Sequence, residues 1–289
     1  MDLMNLAFIT DEFTQDFERA GATAAELGFQ ALEVRTVWDK NIVDLSDDQV
    51  GQLRKIAAEA RLDILSVASP VFKCTHPQGG AIDHRFEQDA FHSAHQFEDQ
   101  QRILDRSIQV AVELGAPLVR VFSFWRTVEP QRLFGHIIEA LAEAVDRAGR
   151  AGLSIGLENE HACNIATAAE AAPALRTIDS PRLGLVWDPG NSYMAGEIPY
   201  PHGYSLLPLS RILHVHAKDG VKNATGDRVL WGPFGDGEID WRGQIQALAR
   251  DGYRGAISLE THWGGPDGRK EEGSRICARR LKEIVDRES

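Results

Sequence analysis

Acidic or imidazole side chains follow apolar runs at four places in the second half of the chain. The segments read SIGLENEH, GLVWDPGN, ILHVHAKD and AISLETHW, and the side chains are Glu158, Asp188, His216 and Glu260. Taken singly, each has an ordinary explanation, because such residues often cap helices or form turns. Taken together, three oxygen donors and one imidazole form a ligand set for one divalent cation. Mn²⁺ is our first expectation, with Mg²⁺, Co²⁺ or Zn²⁺ as alternatives.

Short apolar or β-branched runs alternate with amphipathic helical stretches along the whole chain. The candidate strands are residues 6–9, 31–35, 62–67, 118–122, 153–158, 183–188, 212–216 and 256–260. Strand–helix alternation predicts parallel strands with crossover helices, and eight repeats favour an α/β fold with a single (β/α)8 TIM barrel. An open doubly wound sheet is the alternative, but the glycine-rich phosphate loop typical of it is missing after the first run.

A barrel of this kind places all strand carboxyl ends at one mouth, which is where the active sites of such barrels lie. The four side chains above are therefore expected to converge there. Crowded like charges would then cost stability unless a cation neutralised them. One domain over residues 1–289 is expected, with a long loop at about 69–97 over the mouth, where prolines, paired glycines and histidines replace the regular pattern.

The overall composition and charge of the chain argue against some classes of binding partner. The chain is 43% hydrophobic and 26% charged, as expected for a globular protein with a sizeable core, and its formal net charge is −12. That acidity argues against a nucleic-acid partner, because such binding depends on Lys and Arg neutralising phosphates. Three distant cysteines predict neither a disulfide framework nor a thiolate zinc site, and no run approaches a membrane span. We expect a cytoplasmic protein with no membrane partner.

Several separate motifs resemble those of one family over nearly the whole chain. Besides LENE, VWDPGN, HVHAKD and SLETHW, they are LEVRTVWDKNIVDLSDDQ, SPVFKC and GDGEIDW. They resemble the xylose isomerase-like barrel superfamily, in particular the sugar phosphate isomerase/epimerase group, which includes ketose 3-epimerases, inosose dehydratase and endonuclease IV. The resemblance implies one divalent metal on Glu158, Asp188, His216 and Glu260, with Glu158 and Glu260 as the catalytic acid/base pair. It also implies a homo-oligomer.

Two departures leave the substrate open. Where ketose 3-epimerases have a substrate-binding histidine and an arginine, this chain has Asn191 and Lys222. The extra histidines and basic surface of endonuclease IV are also missing, so DNA repair is not expected. The expected enzyme is a metal-dependent isomerase or epimerase of a sugar, sugar phosphate or keto-sugar, which removes a proton next to a carbonyl and passes through an enediolate.

Two other functions remain open at this stage. A leaving group next to the carbanion would make the same site a lyase or dehydratase acting on an inosose or 3-keto-glycoside. A non-catalytic sugar-binding barrel would keep the fold without the chemistry. Side chains near the expected mouth are candidate substrate contacts, although each also fits ordinary packing or solvation there: they are Trp38, Lys73, Glu160, Asn191, His214 and Lys218.

Overall fold

Eight parallel strands close into a barrel in the computed structural model of the protein, which describes residues 4–86, 88–89, 92–225 and 228–288. The barrel strands are β1 (Asn5–Ile9), β2 (Ala31–Val34), β5 (Asp63–Val67), β6 (Leu118–Val121), β7 (Ser154–Glu158), β8 (Leu183–Trp187), β9 (Ile212–Ala217) and β12 (Ala256–Leu259). Each pairs with its neighbours in chain order, and β12 closes the barrel against β1. The expected (β/α)8 barrel is confirmed.

Helices connect successive barrel strands and cover the outside of the barrel. They are α1 (Phe17–Leu27), α2 (Asp47–Ala60), α3 (Gln100–Leu114), α4 (Phe134–Arg150), α5 (Ala168–Thr177), α6 (Pro189–Met194), α7 (Tyr204–Leu206), α8 (Trp241–Arg250) and α9 (Lys270–Glu288). Their apolar faces pack on the strands in one continuous core. Helices α1 and α3 end at Gly28 and Gly115, whose φ angles of 76° and 72° suit a left-handed cap.

Four of the eight strands end one residue earlier than the sequence suggests. Arg35, Phe122, Asp188 and Glu260 all lie just beyond the last paired residue of their strands. The two acidic residues are therefore at the start of the strand-to-helix connections. Their side chains remain buried, and Asp188 also caps α6 by accepting a hydrogen bond from the Asn191 amide at 2.8 Å.

Two hairpins lie outside the barrel sheet and were not predicted. One pairs β3 (Thr36–Val37) with β4 (Lys40–Asn41), and the other pairs β10 (Asp219–Lys222) with β11 (Val229–Gly232). The second hairpin follows β9 directly, so it starts at the barrel mouth. Asp219 fixes the loop that follows it, because its carboxylate accepts hydrogen bonds from the backbone amides of Gly235 and Gly237 at 3.0 and 3.1 Å.

The long segment after β5 forms neither helix nor strand in its described part, apart from one isolated bridge between Ile82 and Thr127. It packs at the carboxyl end of the barrel, because Lys73 Nζ lies 3.5 Å from Glu160 Oε2 beyond β7. Part of the predicted loop, residues 87, 90 and 91, lies outside the described residues. Among the described residues, no helix combines the length and apolar character needed to cross a membrane. The three cysteines are buried and unpaired with one another.

Gly184 in β8 lies where a neighbouring strand leaves no room for a side chain. A Cβ there would be 2.3 Å from Leu213 Cγ and 2.6 Å from the Arg211 carbonyl oxygen. Gly184→Ala is therefore expected to lower the free energy of unfolding by about 1–3 kcal/mol. Urea denaturation measures this. Gly51→Ala is the control, since a Cβ at Gly51 in α2 meets nothing within 4 Å, and it should leave stability equal or higher.

Candidate metal centre

The four strand-end side chains meet at the barrel mouth. One donor atom from each of Glu158, Asp188, His216 and Glu260 lies within 4.8 Å of the others, and all four residues are buried. His216 Nδ1 is 3.4 Å from Glu158 Oε1, 3.4 Å from Glu260 Oε2 and 3.8 Å from Asp188 Oδ2. The structure therefore brings the expected ligand set together around one imidazole nitrogen.

Glu33 orients that imidazole from inside the barrel. Its Oε2 lies 2.9 Å from His216 Nε2, on the side of the ring opposite the cluster. The same oxygen is 3.1 Å from His214 Nε2. A carboxylate that accepts the Nε2 proton leaves Nδ1 as the free lone pair for a metal and makes it more basic. Glu33, β2 and β9 therefore fix the direction in which His216 can donate.

Buried cations balance part of the negative charge. Arg120 lies 3.0 Å from Glu158 Oε2, and Arg35 lies 2.6 Å from Glu260 Oε1. Lys218 Nζ is 2.7 Å from Glu260 Oε2 and 2.8 Å from Asp188 Oδ2. Each glutamate thus presents one oxygen to the cluster while an arginine holds the other.

The pKa values of the cluster reflect its crowding. Burial raises the pKa of Asp188 to about 6. Lys218 opposes this rise, and the neighbouring carboxylates of Glu260 and Glu158 add to it. Burial acts in the same direction on Glu158, but Arg120 and His216 outweigh it and lower that pKa. Burial disfavours protonation of His216, yet the surrounding carboxylates raise its pKa well above the usual value. A field that holds a proton on a buried imidazole favours a cation in the same place.

The donor set fits a divalent ion. His216 Nδ1 is buried and makes no hydrogen bond with the described residues, although it faces three carboxylates. A buried polar nitrogen without a hydrogen-bond partner costs free energy unless a bound ligand contacts it. Carboxylate oxygens with one imidazole suit Mn²⁺, Mg²⁺, Co²⁺ or Zn²⁺. A bound ion would be held by Glu158, Asp188, His216 and Glu260.

Three of the candidate substrate contacts form a chain of polar contacts beside the cluster. Asn191 donates a hydrogen bond from Nδ2 to Glu158 Oε1 at 3.1 Å, so it also positions a cluster glutamate. His161 Nδ1 lies 2.8 Å from Asn191 Oδ1 and 2.9 Å from Glu160 Oε1. Glu160 pairs in turn with Lys73 at 3.5 Å. The fourth, Lys218, contacts the cluster directly.

Trp38 and His214 lie elsewhere. His214 precedes His216 by two residues in β9, and it lines a cavity at the amino end of the barrel with Asn5 and Arg254. Trp38 lies in the turn between β3 and β4 and lines a surface cavity with residues of α1 and α2. Neither side chain is part of the four-residue cluster, although His214 shares the Glu33 oxygen with His216.

Three charged residues that contact the cluster were not predicted from the sequence. Glu33, Arg35 and Arg120 lie in or directly beyond buried strands, and each contacts a cluster residue. A signal was available, because charged residues inside the apolar runs LEVR and LVRV are rarely buried unless they are paired. Their alternation with apolar residues also indicates that they face the barrel interior.

A family described as "Xylose isomerase-like TIM barrel" matches residues 22–284. The chain belongs to this family. Structures similar to this chain include a probable 3-DHS dehydratase and a 3-keto-D-glucoside 4-epimerase. A curated relative, the rhizopine catabolism protein MocC of Rhizobium meliloti, is 30% identical over 133 residues, which is 42% of this chain and 40% of that protein. The chain thus matches less than half of that relative's length.

Solved structures of the family share the whole architecture. The IolI protein, solved with a bound zinc atom, superposes with a TM-score of 0.76 at 18% identity, over 99% of each chain. The 3-keto-D-glucoside 4-epimerase YcjR from E. coli has a TM-score of 0.66 at 16% identity, over 96% of this chain and 99% of that one. At these identities the likeness establishes the fold.

Proposed function

We propose that this member of the xylose isomerase-like TIM barrel family is a divalent-metal-dependent isomerase or epimerase of a sugar or keto-sugar. One observation carries the proposal: two buried glutamates flank the same imidazole nitrogen at equal distances of 3.4 Å. They come from β7 and from the end of β12, on either side of β8 and β9 in the barrel. Two bases on opposite sides of a substrate are what inversion of a carbon centre requires.

The glutamates are suited to move the substrate proton. Burial raises the pKa of Glu260, but Lys218 and His262 outweigh burial and hold that pKa well below its usual value. This carboxylate is therefore ionised at neutral pH. A bound divalent ion would polarise the substrate carbonyl and acidify the adjacent C–H bond. Glu158 or Glu260 would remove that proton to give an enediolate. The other glutamate, after taking a proton from solvent, would return one from the opposite face.

Lys218 would stabilise the negative charge that develops on the substrate oxygen. Burial lowers the pKa of its ammonium, but Asp188 and Glu260 outweigh burial and raise that pKa, so Lys218 stays protonated. A fixed positive charge in a buried site stabilises an oxyanion without reorganisation. Lys73, Glu160 and Asn191 lie beside the cluster and are proposed as further substrate contacts.

The metal itself is testable first. We expect purified protein to hold close to one divalent ion per chain, with Mn²⁺ restoring activity after chelation. The IolI structure holds a zinc atom, so Zn²⁺, Mg²⁺ and Co²⁺ belong in the same series. Elemental analysis before and after dialysis against a chelator measures the content, and thermal unfolding measures the stabilisation that binding gives. Full activity in protein freed of metal would contradict the proposal.

A screen in deuterated water tests the reaction. Ketoses, inososes and 3-keto-glycosides are incubated with metal-loaded protein, the metal is removed, and the products are read by NMR. We expect deuterium at the carbon next to the carbonyl, with the carbon skeleton and all hydroxyl groups retained. Loss of water would identify a dehydratase instead. Sugar binding without any exchange would identify a non-catalytic barrel.

A further inference from the structure

The buried cations at the barrel mouth are already paired with carboxylates. Among the described residues there, four side chains carry this positive charge, and each lies within 3.5 Å of at least one carboxylate oxygen. They are Arg35 with Asp11, Glu12 and Glu260; Arg120 with Glu158; Lys73 with Glu160; and Lys218 with Asp188 and Glu260. A phosphate group on the substrate would have to compete with these carboxylates for every one of them.

The charge balance disfavours an anionic substrate further. The carboxylates of these pairs outnumber the cations, and Glu33 adds another, which lies beside the imidazoles of His214 and His216. A bound divalent ion would offset part of the excess, but it would not create a positive mouth. Like charges repel most strongly in a buried site, where water screens them least. The site therefore favours an uncharged substrate over a phosphorylated one.

An aromatic face borders the cluster on one side. The hairpin β10–β11 places the indole of Trp231 5.1 Å from Lys218 Nζ. The imidazole of His262 stacks on the same indole with centroids 5.5 Å apart at 28°, and that of His161 meets it at 5.8 Å and 67°. Lys218 contacts the cluster directly, so a single side chain separates the half-buried Trp231 from the cluster.

A second group of aromatic rings contacts the polar chain at Lys73 and His161. Lys73 Nζ is 4.4 Å from the centroid of Phe122 and 5.7 Å from that of Trp125. Phe86 approaches His161 at 5.6 Å. Phe122 and Trp125 are buried, so the half-buried rings of Trp231 and Phe86 are the apolar surfaces beside these polar groups. Such surfaces are complementary to a ring sugar or cyclitol, which has C–H faces and a hydroxylated rim.

We propose that the substrate is an uncharged polyhydroxylated ring that carries a carbonyl and no phosphate. Its C–H face packs against the exposed part of the Trp231 indole, beside the stacked His262. This inference rests on the proposed function, because it names the substrate class of the same site. An open-chain sugar would have to lose much more conformational freedom to cover the same indole. Trp231 thus determines specificity for rings.

Binding of inert probes tests the inference without catalysis. The probes are myo-inositol, glucose and galactose, their monophosphates, and the open-chain sorbitol, each titrated calorimetrically into Mg²⁺-loaded full-length protein. We expect at least one neutral ring to bind about tenfold or more tightly than its phosphate and than sorbitol. Trp231→Ala should weaken ring binding about tenfold, while Trp231→Phe keeps most of it.

Leu230 gives a matched control on the same strand. Adjacent residues of β11 point to opposite faces, and Leu230 is 43% exposed, so Leu230→Ala should bind the rings as the unchanged protein does. Tighter binding of a phosphate, failure of every ring to bind, or equal losses in both alanine variants would overturn the inference. Ring binding that depends on Trp231, without deuterium exchange by any keto compound, would refute the proposed function and leave this inference standing.

Discussion

Glu260→Gln is expected to lower the rate of deuterium incorporation by about 10²- to 10⁴-fold. The amide keeps the size of the side chain but cannot accept the substrate proton. It also replaces a carboxylate whose Oε2 faces His216 Nδ1 at 3.4 Å, so metal affinity should fall as well. Glu158→Gln should have a similar effect, because its Oε1 faces the same nitrogen at the same distance. NMR in deuterated water measures the rate for both variants.

Two measurements separate loss of the base from loss of the metal. Elemental analysis reports metal content, and the exchange rate is then compared at saturating Mn²⁺. Glu113→Gln is a matched control, because Glu113 is a surface residue whose partner is Arg54 at 2.9 Å. This variant should exchange as fast as the unchanged protein. Exchange by Glu158→Gln and Glu260→Gln at the normal rate would show that neither glutamate is the acid or base.

Glu33→Gln is expected to weaken divalent metal binding by about 10- to 100-fold. Its carboxylate accepts the proton of His216 Nε2 at 2.9 Å, and this contact directs Nδ1 into the cluster. An amide oxygen can still accept that hydrogen bond, so the ring should keep its orientation. The negative charge is lost, however, and the imidazole becomes a weaker donor to a metal.

Competition with a metal-chelating dye measures the affinity of this variant, and thermal unfolding checks its fold. His214→Asn provides a comparison, since His214 lies 3.1 Å from the same Glu33 oxygen but donates nothing to the cluster. We expect a smaller loss of affinity in that variant. Unchanged metal affinity in folded Glu33→Gln would mean that Glu33 serves barrel packing rather than the metal centre.

The barrel and the four residues of the cluster were predictable because their signals are local. A buried parallel strand gives a short apolar run, and a carboxylate or histidine at its end is visible in the same few residues. The closed barrel then supplies the rule that strand carboxyl ends meet at one mouth. The eight expected strands are therefore present, with boundary differences of about one residue at the ends.

The surroundings of the cluster were less predictable because their contacts are distant in sequence. Glu33 and His216 are separated by 183 positions, and Arg35 and Glu260 by 225. No periodicity of β2 alone indicates which partner its charged residues will meet. The hairpin that carries Trp231 was also missed, since its first strand, DGVK, has a single apolar side chain and gives no apolar run.

The sequence by itself determined the architecture, the residue types of the cluster and their order along the chain, because a strand and the polar residue at its end are neighbours in sequence. Only the tertiary structure decided which oxygen of each glutamate faces the cluster, since Arg35 and Arg120 hold the other one. It also decided that Glu33 directs His216 and that Trp231 borders the site. These contacts form when strands and loops far apart in the chain pack around one closed barrel.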